Sequence, residues 1–292
     1  MISVIQKWGS FVRFPHTVFA LPFALAAMMV AARDNHGWPG WKIFGLILAA
    51  MVSARTCAMA FNRIVDRKFD ALNPRTASRH LPTGQISLAG AITLYVLSAT
   101  GLVVAGYFLN SLCFYLSPIA LVVICFYSLT KRFTDYTHVF LGIALALAPV
   151  GAWLAVRGAN VSTLEILQMT VLALAVVLWL VGFDIIYATQ DYESDKQHGL
   201  RSLPVRLGIE RSLWFARLAH AVMGVALLGF GLISNRRVPY YVGLSIIGLC
   251  LVVQHVVARK RDPVSLNVAF FRMNAIISVV FLGAVVADVA MK

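Results

Sequence analysis

Three polar side chains near the end of a long apolar run stand at intervals of four residues: Asn62, Asp66 and Asp70. On an α-helix they form one stripe, because side chains four residues apart lie on one face, about 5–6 Å apart at Cβ. A second acidic pair with the same spacing, Asp191 and Asp195, ends a later apolar run. Carboxylates from two helix ends that face one space suit a hard divalent cation such as Mg²⁺.

A further acid, Asp184, stands deeper in the second of these apolar runs. On an unbroken helix Asp184, Asp191 and Asp195 would lie within about 40° of one another. A carboxylate in the hydrocarbon region of a membrane costs ~2.5–3.5 kcal/mol on insertion scales, so an acid there is a candidate for function. The alternative is an interfacial acid that pairs with a nearby arginine.

Basic residues stand near both acidic stripes. They are Arg63, Arg67, Lys68, Arg75, Arg79, Lys131, Lys196 and Arg201. Carboxylates ringed by bases suit a diphosphate, because a metal ion bridges carboxylate to phosphate while Lys and Arg bind the remaining oxygens. Loss of that diphosphate from an allylic chain leaves a carbocation, which aromatic faces stabilise. The aromatic residues near the motifs are Phe61, Phe69, Tyr127, Tyr187 and Tyr192, although aromatic packing residues are common in any membrane helix.

The elements that hold these residues are membrane-spanning helices. Hydrophobic residues make up 60% of the chain and charged residues 13%, against roughly 25% charged in a soluble domain. The fold class is therefore all-α, a multi-pass membrane protein, with residues 1–292 expected to form one transmembrane domain. Nine apolar runs have about the 20 residues that a helix needs to cross the membrane, at 14–32, 41–61, 89–109, 112–129, 138–157, 164–186, 212–233, 240–258 and 269–289.

The charge distribution sets an expected orientation. Most of the 25 Lys and Arg residues fall on the side that carries the N-terminus and both acidic motifs, and such a bias marks the cytoplasmic side. We therefore expect both motifs at the cytoplasmic face of a bacterial inner (plasma) membrane. The net charge of +13 does not indicate a nucleic-acid partner, because the bases occupy short loops between spans rather than one soluble face.

Longer runs around the motifs resemble the signatures of the intramembrane aromatic prenyltransferases. The matching positions are Asn62, Asp66, Asp70, Asn73, Pro74, Arg79 and Gly84 for the first signature, Asp191, Asp195, Gly199 and Ser202 for the second, and Tyr127 with Lys131 between them. The resemblance covers essentially the whole chain and is strongest to the 4-hydroxybenzoate polyprenyltransferases. It extends to relatives that prenylate a dihydroxynaphthoate. One departure is Arg63, where many relatives carry an additional Asp.

The resemblance implies a nine-helix bundle around a central cavity that opens sideways to lipid, capped by the two motifs. It also implies roles for individual residues. Asn62, Asp66, Asp70, Asp191 and Asp195 would hold Mg²⁺ and the diphosphate, with Asp66, Asp70 and Asp191 central to catalysis. Arg67, Lys131 and Lys196 would neutralise the leaving group, Tyr127 would line the cation site, and Arg13 would pair with the carboxylate of the acceptor. Asp191 is also a candidate to orient or deprotonate the phenol.

The expected activity is Mg²⁺-dependent transfer of a polyprenyl group from polyprenyl diphosphate to a ring carbon of 4-hydroxybenzoate or a similar aromatic acid in quinone biosynthesis. Prenylation of a dihydroxynaphthoate in menaquinone biosynthesis is the alternative. A cation or phosphate transporter is a second class, but inverted repeats with broken helices, its usual signs, are not evident. A CDP-alcohol phosphotransferase would carry a Gly-rich Asp signature, which Phe69 and Ala71 beside Asp70 do not fit.

Overall fold

The computed structural model of the chain describes residues 4–291, and over that range the regular structure is entirely helical. In chain order the helices are α1 (Val4–Phe11), α2 (Thr17–Ala31), α3 (Trp41–Leu72), α4 (Leu88–Leu109), α5 (Ser111–Thr130), α6 (Thr137–Arg157), α7 (Thr163–Ala188), α8 (Tyr192–Gln197), α9 (Leu203–Leu207), α10 (Ile209–Ile233), α11 (Val238–Ala258), α12 (Pro263–Asn267) and α13 (Met273–Ala290). Short 3₁₀ turns cover Phe14–His16, Arg33–Asn35 and Thr189–Asp191, and a π-helical turn, Val268–Arg272, precedes α13.

Nine helical segments in the described range are long and apolar enough to cross a membrane, as the sequence predicts. They are Phe14–Ala31, Trp41–Leu72, Leu88–Leu109, Ser111–Thr130, Thr137–Arg157, Thr163–Gln197, Ile209–Ile233, Val238–Ala258 and Val264–Ala290. The break between the third and fourth segments is Asn110 alone. Its side chain accepts a hydrogen bond from the Cys113 N–H, which caps α5, and donates one to the Leu154 carbonyl. The extended backbone of Asn110 separates the two helices.

Helix α3 is longer than a membrane crossing requires. Its 32 residues span about 48 Å at 1.5 Å per residue, against a hydrocarbon core of about 30 Å. Asn62, Asp66 and Asp70 lie in the last three turns of this helix. The surplus length therefore carries the acidic stripe toward one end of the bundle.

The centre of the bundle is α7, which packs against α6 on one side and α10 on the other. In the core the Phe23 ring stacks on Phe281 at 4.6 Å between centroids and lies 4.9 Å from Trp179. The outer helix faces carry large exposed apolar side chains such as Leu97 and Leu249, which suit contact with lipid. Because lipid removes the hydrophobic drive for helix association, close van der Waals packing holds such bundles together.

Two glycines set how closely α7 approaches its neighbours. A Cβ added at Gly142 of α6 would lie 2.9 Å from the Val177 carbonyl oxygen, and one added at Gly182 of α7 would lie 2.2 Å from Nε2 of His220. Only glycine fits these approaches without displacing a neighbour. The contact at Gly142 brings the start of α6 beside the part of α7 that carries Asp184.

The second acidic motif does not continue α7 as one straight helix, which differs from the unbroken face assumed in the sequence analysis. Residues Thr189–Asp191 form a 3₁₀ turn, and α8 begins at Tyr192. The Thr189 hydroxyl donates to the Ile186 carbonyl at 2.7 Å, a local bond of the kind that bends helices. Asp184, Asp191 and Asp195 nevertheless all line the same cavity.

Candidate active site

The two acidic motifs meet over one cavity of about 290 Å³ at an end of the bundle. Its walls come from α2, α3, α5, α6, α7 and α8, together with the loop that follows α3. All of the predicted metal-site residues line it. They are Asn62, Asp66, Asp70, Asp191 and Asp195, and Asp184 joins them.

The first stripe is held by hydrogen bonds along α3 and by bases from outside it. Asn62 Nδ2 donates to Asp66 Oδ2 at 2.9 Å, as side chains four residues apart on a helix can. The other oxygen of Asp66 accepts from Arg132 at 3.3 Å. Asp70 accepts from Arg79 Nη1 at 2.5 Å, and Arg63 Nη1 lies 3.9 Å from its second oxygen.

The loop after α3 connects the two motifs through Asn73. Pro74 excludes helical backbone at the residue before it, and Asn73 accordingly adopts the extended conformation that ends α3. The Asn73 side chain accepts from the Arg75 N–H at 2.9 Å and donates to Asp191 Oδ1 at 3.1 Å. This turn directs the Arg75 side chain toward Asp191 of the second motif.

Arg75 forms a bidentate ion pair with Asp191 through two hydrogen bonds. Nε lies 2.8 Å from Oδ1 and Nη2 lies 2.6 Å from Oδ2, while Nη1 donates to the Tyr187 hydroxyl at 2.9 Å. Such a planar, bidentate pair is the strong form of an arginine–carboxylate interaction. It joins a loop of the first motif to the first acid of the second.

A turn between α5 and α6 makes a further bridge. Lys131 Nζ donates to Asp195 Oδ2 at 3.2 Å, and its neighbour Arg132 reaches Asp66. Two consecutive bases therefore contact one acid from each motif. Arg201, which follows the second motif in the chain, stabilises this turn with two hydrogen bonds. Its backbone N–H donates to the Lys131 carbonyl and its guanidinium to the Phe133 carbonyl, each at 2.8 Å.

The bases of the site stay positively charged. Burial alone would lower the pKa of the Arg75 guanidinium, but its hydrogen bonds and charge attraction to Asp191 outweigh burial and raise that pKa above its ordinary value. Burial also opposes the charge on Lys131, yet attraction to Asp195, Asp191 and Asp184 raises the pKa of this ammonium group. The cavity therefore presents fixed cations as well as carboxylates at neutral pH.

The donor set fits a divalent cation that shares its ligands with a substrate. Among residues 4–291 no three His, Cys, Asp or Glu side chains are close enough to hold a metal ion by themselves. Mg²⁺ does not need such a cage, because it usually takes one or two carboxylates plus phosphate oxygens and water. The buried Oδ2 of Asp70 has no hydrogen-bond partner in the described part of the chain, and a buried acceptor left without a partner is costly. Asn62, Asp66 and Asp70 offer the oxygens for this ion on one side, and Asp191 and Asp195 on the other.

Two of the bases assigned to the leaving group lie elsewhere. Arg67 and Lys196 are exposed and do not line the cavity: Arg67 donates to the Ile64 carbonyl, and Lys196 lies over the Tyr192 ring. Each directly follows an acid of a motif, and successive helix residues point about 100° apart. When Asp66 and Asp195 face the cavity, these two neighbours face away from it. The third base predicted for the leaving group, Lys131, does line the cavity, and the structure adds Arg75, Arg79 and Arg132 to it.

The remaining predicted residues do line the cavity. Arg13 reaches it from the turn before α2, where its backbone is left-handed with φ of 49°. Tyr127 lines it from α5. Of the other aromatic residues near the motifs, Phe69 and Tyr187 are on the wall, whereas Phe61 packs against Tyr95 on the outside of the site.

Arg55 is a further basic residue of the cavity that lies outside both motifs. This arginine lies inside the second membrane span, lines the cavity, and has a buried Nε without a hydrogen-bond partner in the described residues. The signal that draws attention to Asp184, a charge within an apolar run, applies equally to Arg55. Arg13 and Arg55 together make a basic patch on the cavity wall, and the His16 ring lies beside them.

An aromatic wall on the α7 side was not predictable either. Phe270 lies in the π-helical turn before α13 and stacks on Tyr187 at 4.0 Å between ring centroids. The Asn274 amide donates to the Phe270 carbonyl at 2.6 Å, and Gln254 donates to the Ala269 carbonyl at 2.9 Å. The side chains of Asn274 and Gln254 are fully buried, and their hydrogen bonds satisfy backbone carbonyls of the π-turn. Single π-helical turns are often found at functional sites. The turn thereby brings Phe270 against the residue that binds Arg75.

A second, apolar cavity of about 200 Å³ lies between α3, α4, α5 and α6. It adjoins the first, because both share Ala20, Met51, Arg55, Leu141 and Leu145. Its other walls are mostly Ala, Leu and Gly side chains. Arg55 therefore stands where the polar cavity gives way to the apolar one.

Comparison with known proteins agrees with this architecture. Residues 20–276 match the UbiA prenyltransferase family. The 4-hydroxybenzoate octaprenyltransferase of Pseudomonas aeruginosa is 32% identical over 262 residues, which cover 88% of this chain and 84% of that one. The enzyme of the same name from Methylobacillus flagellatus is 29% identical over 253 residues, covering 86% and 83%.

Solved structures share the fold. A UbiA homologue from Aeropyrum pernix K1 superposes with a TM-score of 0.84 at 29% identity and covers 94% of this chain and 98% of its own. A UbiA homologue from Archaeoglobus fulgidus bound to DMAPP and Mg²⁺ has a TM-score of 0.73 at 20% identity, covers 98% and 100%, and supports the fold alone. Because the family match spans most of its length, the chain belongs to the UbiA prenyltransferase family and is a membrane-embedded aromatic polyprenyltransferase.

Proposed function

We propose that the protein transfers a polyprenyl group from polyprenyl diphosphate to a ring carbon of 4-hydroxybenzoate or a similar aromatic acid, with Mg²⁺ as cofactor. The observation that carries this proposal is the meeting of both acidic motifs, interleaved with fixed bases, over one cavity that adjoins an apolar chamber. Relatives from Pseudomonas and Methylobacillus named for 4-hydroxybenzoate support the acceptor. A dihydroxynaphthoate is the alternative acceptor.

The diphosphate binds among the side chains that now pair with one another. Bound Mg²⁺ would link the carboxylates to phosphate oxygens and offset the charge of the leaving diphosphate; an archaeal protein of the same fold is described with DMAPP and Mg²⁺. Arg75, Lys131 and Arg132 would then exchange their carboxylate partners for phosphate oxygens. Charge-assisted hydrogen bonds from these bases stabilise the departing diphosphate.

The apolar chamber between α3 and α6 suits the prenyl tail. Its wall of small and aliphatic side chains offers no polar partner to a ligand except at Arg55 and Ser117. A polyprenyl chain buries apolar surface there while its diphosphate remains under the acidic motifs. Aromatic faces on the polar cavity, Tyr127, Phe183 and Phe270 among them, stabilise the allylic cation that forms when the diphosphate leaves.

The aromatic acid binds through its carboxylate to the basic patch of Arg13 and Arg55. Neither arginine has a carboxylate partner within the described part of the chain, whereas the bases under the motifs all do. A guanidinium with free donors matches a carboxylate in shape and charge. The patch thus orients the ring toward α7 and the diphosphate.

We further propose that the chain acts as a single transmembrane domain of a bacterial inner membrane, with the N-terminus and both motifs on the cytoplasmic side. The concentration of Lys and Arg at that end supports this orientation. Cysteine substitutions near Arg261 and near Trp38, labelled from either side of sealed vesicles, test it. Labelling of the Arg261 position from the outside of intact cells would overturn it.

The direct test of the proposed function is an assay with the purified protein in lipid, Mg²⁺, a polyprenyl diphosphate and a panel of aromatic acids. Mass spectrometry should find an acceptor that has gained one prenyl group and lost one hydrogen, together with released diphosphate. Absence of such a product with every acceptor, under conditions in which the folded protein binds the donor, would overturn the proposal.

A further inference from the structure

Asp184 differs from the other acids on the cavity wall because the residue it contacts is a histidine and not an arginine or a lysine. Asp66, Asp70, Asp191 and Asp195 each contact an arginine or a lysine. Asp184 instead contacts a histidine, with Oδ2 2.6 Å from Nδ1 of His138. In the described part of the chain no arginine or lysine forms an ion pair with Asp184, so no cation contacts Oδ1 of Asp184 directly.

His138 contacts the Asp184 carboxylate but does not line the cavity. The His138 side chain is 0% exposed, whereas that of Asp184 is 19% exposed and lines the cavity. His138 Nε2 is buried with no hydrogen-bond partner in the described residues, so the contact of Nδ1 with Asp184 is the ring's one hydrogen bond there. The close approach of α6 to α7 at Gly142 and Val177 lets this short contact form.

The position of Asp184 suits the acceptor ring rather than the diphosphate. It precedes the last residue of α7, Ala188, by four residues and therefore lies about 6 Å inside that end of the helix at 1.5 Å per residue, whereas Asp191 lies beyond it in the 3₁₀ turn. Its neighbours on the wall are aromatic: Phe183 precedes it, and Phe183 contacts Phe270 at 5.6 Å between ring centroids. The basic patch of Arg13 and Arg55 lines the same cavity from the turn before α2 and from α3.

Asp191, the acid that the sequence offers as a candidate base, is poorly suited to take a proton. In the structure its two oxygens accept three hydrogen bonds, two from Arg75 and one from Asn73. In the proposed complex with the diphosphate they would bind Mg²⁺ in place of Arg75, so a positive charge faces this carboxylate in either state. Charge-assisted bonds of this kind stabilise the ionised carboxylate and oppose protonation. Asp184, which lines the same cavity on α7, is therefore the better candidate to accept the proton from the ring.

We infer that Asp184 is the base that removes the ring proton, and that His138 is the residue that positions it; this inference rests on the proposed function. The bond between the prenyl carbon and the diphosphate oxygen breaks, and its electron pair leaves with the diphosphate. A π-electron pair of the acceptor ring forms the new carbon–carbon bond. The C–H bond at the substituted carbon then returns its electron pair to the ring, and its proton passes to Asp184 Oδ1.

The test compares Asp184→Asn with the wild-type protein in the same lipid, using a polyprenyl diphosphate and an aromatic acid carrying hydrogen or deuterium at the reacting ring carbon. General base catalysis contributes about 10²–10⁴-fold, so prenylated product should form at least about 10²-fold more slowly in the variant. Donor that ionises without transfer should be captured by water, so the ratio of prenyl alcohol to product should rise. A primary isotope effect on product formation should appear, because ring deprotonation becomes slow.

Variants of His138 and of a second acid on α7 separate positioning from general disturbance. His138→Ala should reproduce part of the loss, whereas His138→Asn, whose amide can donate from nearly the position of Nδ1, should restore much of the rate. Glu165→Gln, at the far end of α7 where Glu165 pairs with Arg157, should leave the ratio of alcohol to product unchanged. Recovery of folded protein from membranes is measured for every variant.

The outcomes are distinct. Equal product rates in Asp184→Asn and wild type, or a loss of product with no isotope effect and no rise in prenyl alcohol, would overturn the assignment of Asp184 as base. A wild-type protein that makes no prenylated ring product would overturn the proposed function itself. Equal rates in His138→Ala and wild type would remove the positioning role of His138.

Discussion

Replacement of Arg75 by Gln tests whether the base that joins the two motifs also stabilises the leaving diphosphate. In the ligand-free protein Arg75 makes three hydrogen bonds, two to Asp191 and one to Tyr187. A unit charge pair 4 Å apart is worth about 4 kcal/mol at an effective dielectric constant of 20, which corresponds to a rate factor of about 10³. The Arg75 side chain is 29% exposed, so solvent screening reduces the expected loss of kcat to about 10²-fold.

The same substitution should affect the metal in the opposite direction. Without Arg75, Asp191 loses its bidentate cation and becomes more available to Mg²⁺, so the Mg²⁺ concentration that gives half-maximal activity should stay the same or fall. The assay is prenyl transfer in lipid across a Mg²⁺ titration. Arg67→Gln is the matched control, because Arg67 stands in the neighbouring helix, is exposed and does not line the cavity; it should keep the wild-type kcat.

Two results would refute this reasoning. An unchanged kcat in Arg75→Gln would show that the guanidinium does not act on the leaving group. A loss in Arg67→Gln equal to that in Arg75→Gln would show that the loss follows net charge at this end of the bundle rather than the contacts of one side chain.

Three further changes have defined outcomes. Arg13→Ala and Arg55→Ala should raise the KM for the aromatic acid more than that for the prenyl diphosphate, measured by varying each substrate in turn; equal increases would remove the basic patch from acceptor binding. Chelation by EDTA should abolish transfer and added Mg²⁺ should restore it, whereas transfer that persists in EDTA would contradict the metal site. Gly182→Ala should lower the free energy of unfolding by about 1–3 kcal/mol, because the new methyl group overlaps His220. The control, Gly224→Ala, has open space at its Cβ and should be neutral or slightly stabilising. An unfolding free energy of Gly182→Ala equal to that of the wild type would contradict the close contact.

The sequence predicts the helices well because the membrane imposes a simple rule. A span needs about 20 apolar residues, and the runs that satisfy this rule become the nine spans of the described range, including the short break at Asn110. It also predicts that the polar residues of one motif share a face of their helix, because side chains at i and i+4 are neighbours there; that both motifs cap one cavity is what the family resemblance implies. Asn62 and Asp66 confirm that geometry with a direct hydrogen bond.

The bases of the site are harder to predict than the acids. Arg67 and Arg75 stand near the same motif in the sequence, but only Arg75 reaches the cavity. The direction of a loop side chain depends on turns such as the one at Asn73, whereas the direction of Arg67 follows from helix rotation once Asp66 is known to face inward. Helix periodicity, applied strictly, would have excluded Arg67 and Lys196.

The aromatic wall could not be predicted at all, because it depends on contacts between distant segments. Phe270 reaches Tyr187 only through the π-turn, and the π-turn depends on amides of Gln254 and Asn274 that bind its carbonyls. The pair of His138 and Asp184 likewise needs the close approach of α6 to α7. No local pattern in the sequence encodes these distances.

The structure of the protein with Mn²⁺ and an unreactive prenyl thiodiphosphate tests the central claim most directly. We expect metal density bonded to at least one carboxylate oxygen from Asp66 or Asp70 and to one from Asp191 or Asp195, with the diphosphate between them. The side chains of Arg75, Lys131 and Arg132 should be turned toward the phosphate oxygens. Metal and diphosphate bound by one motif alone, with the ion pair between Arg75 and Asp191 intact, would contradict it.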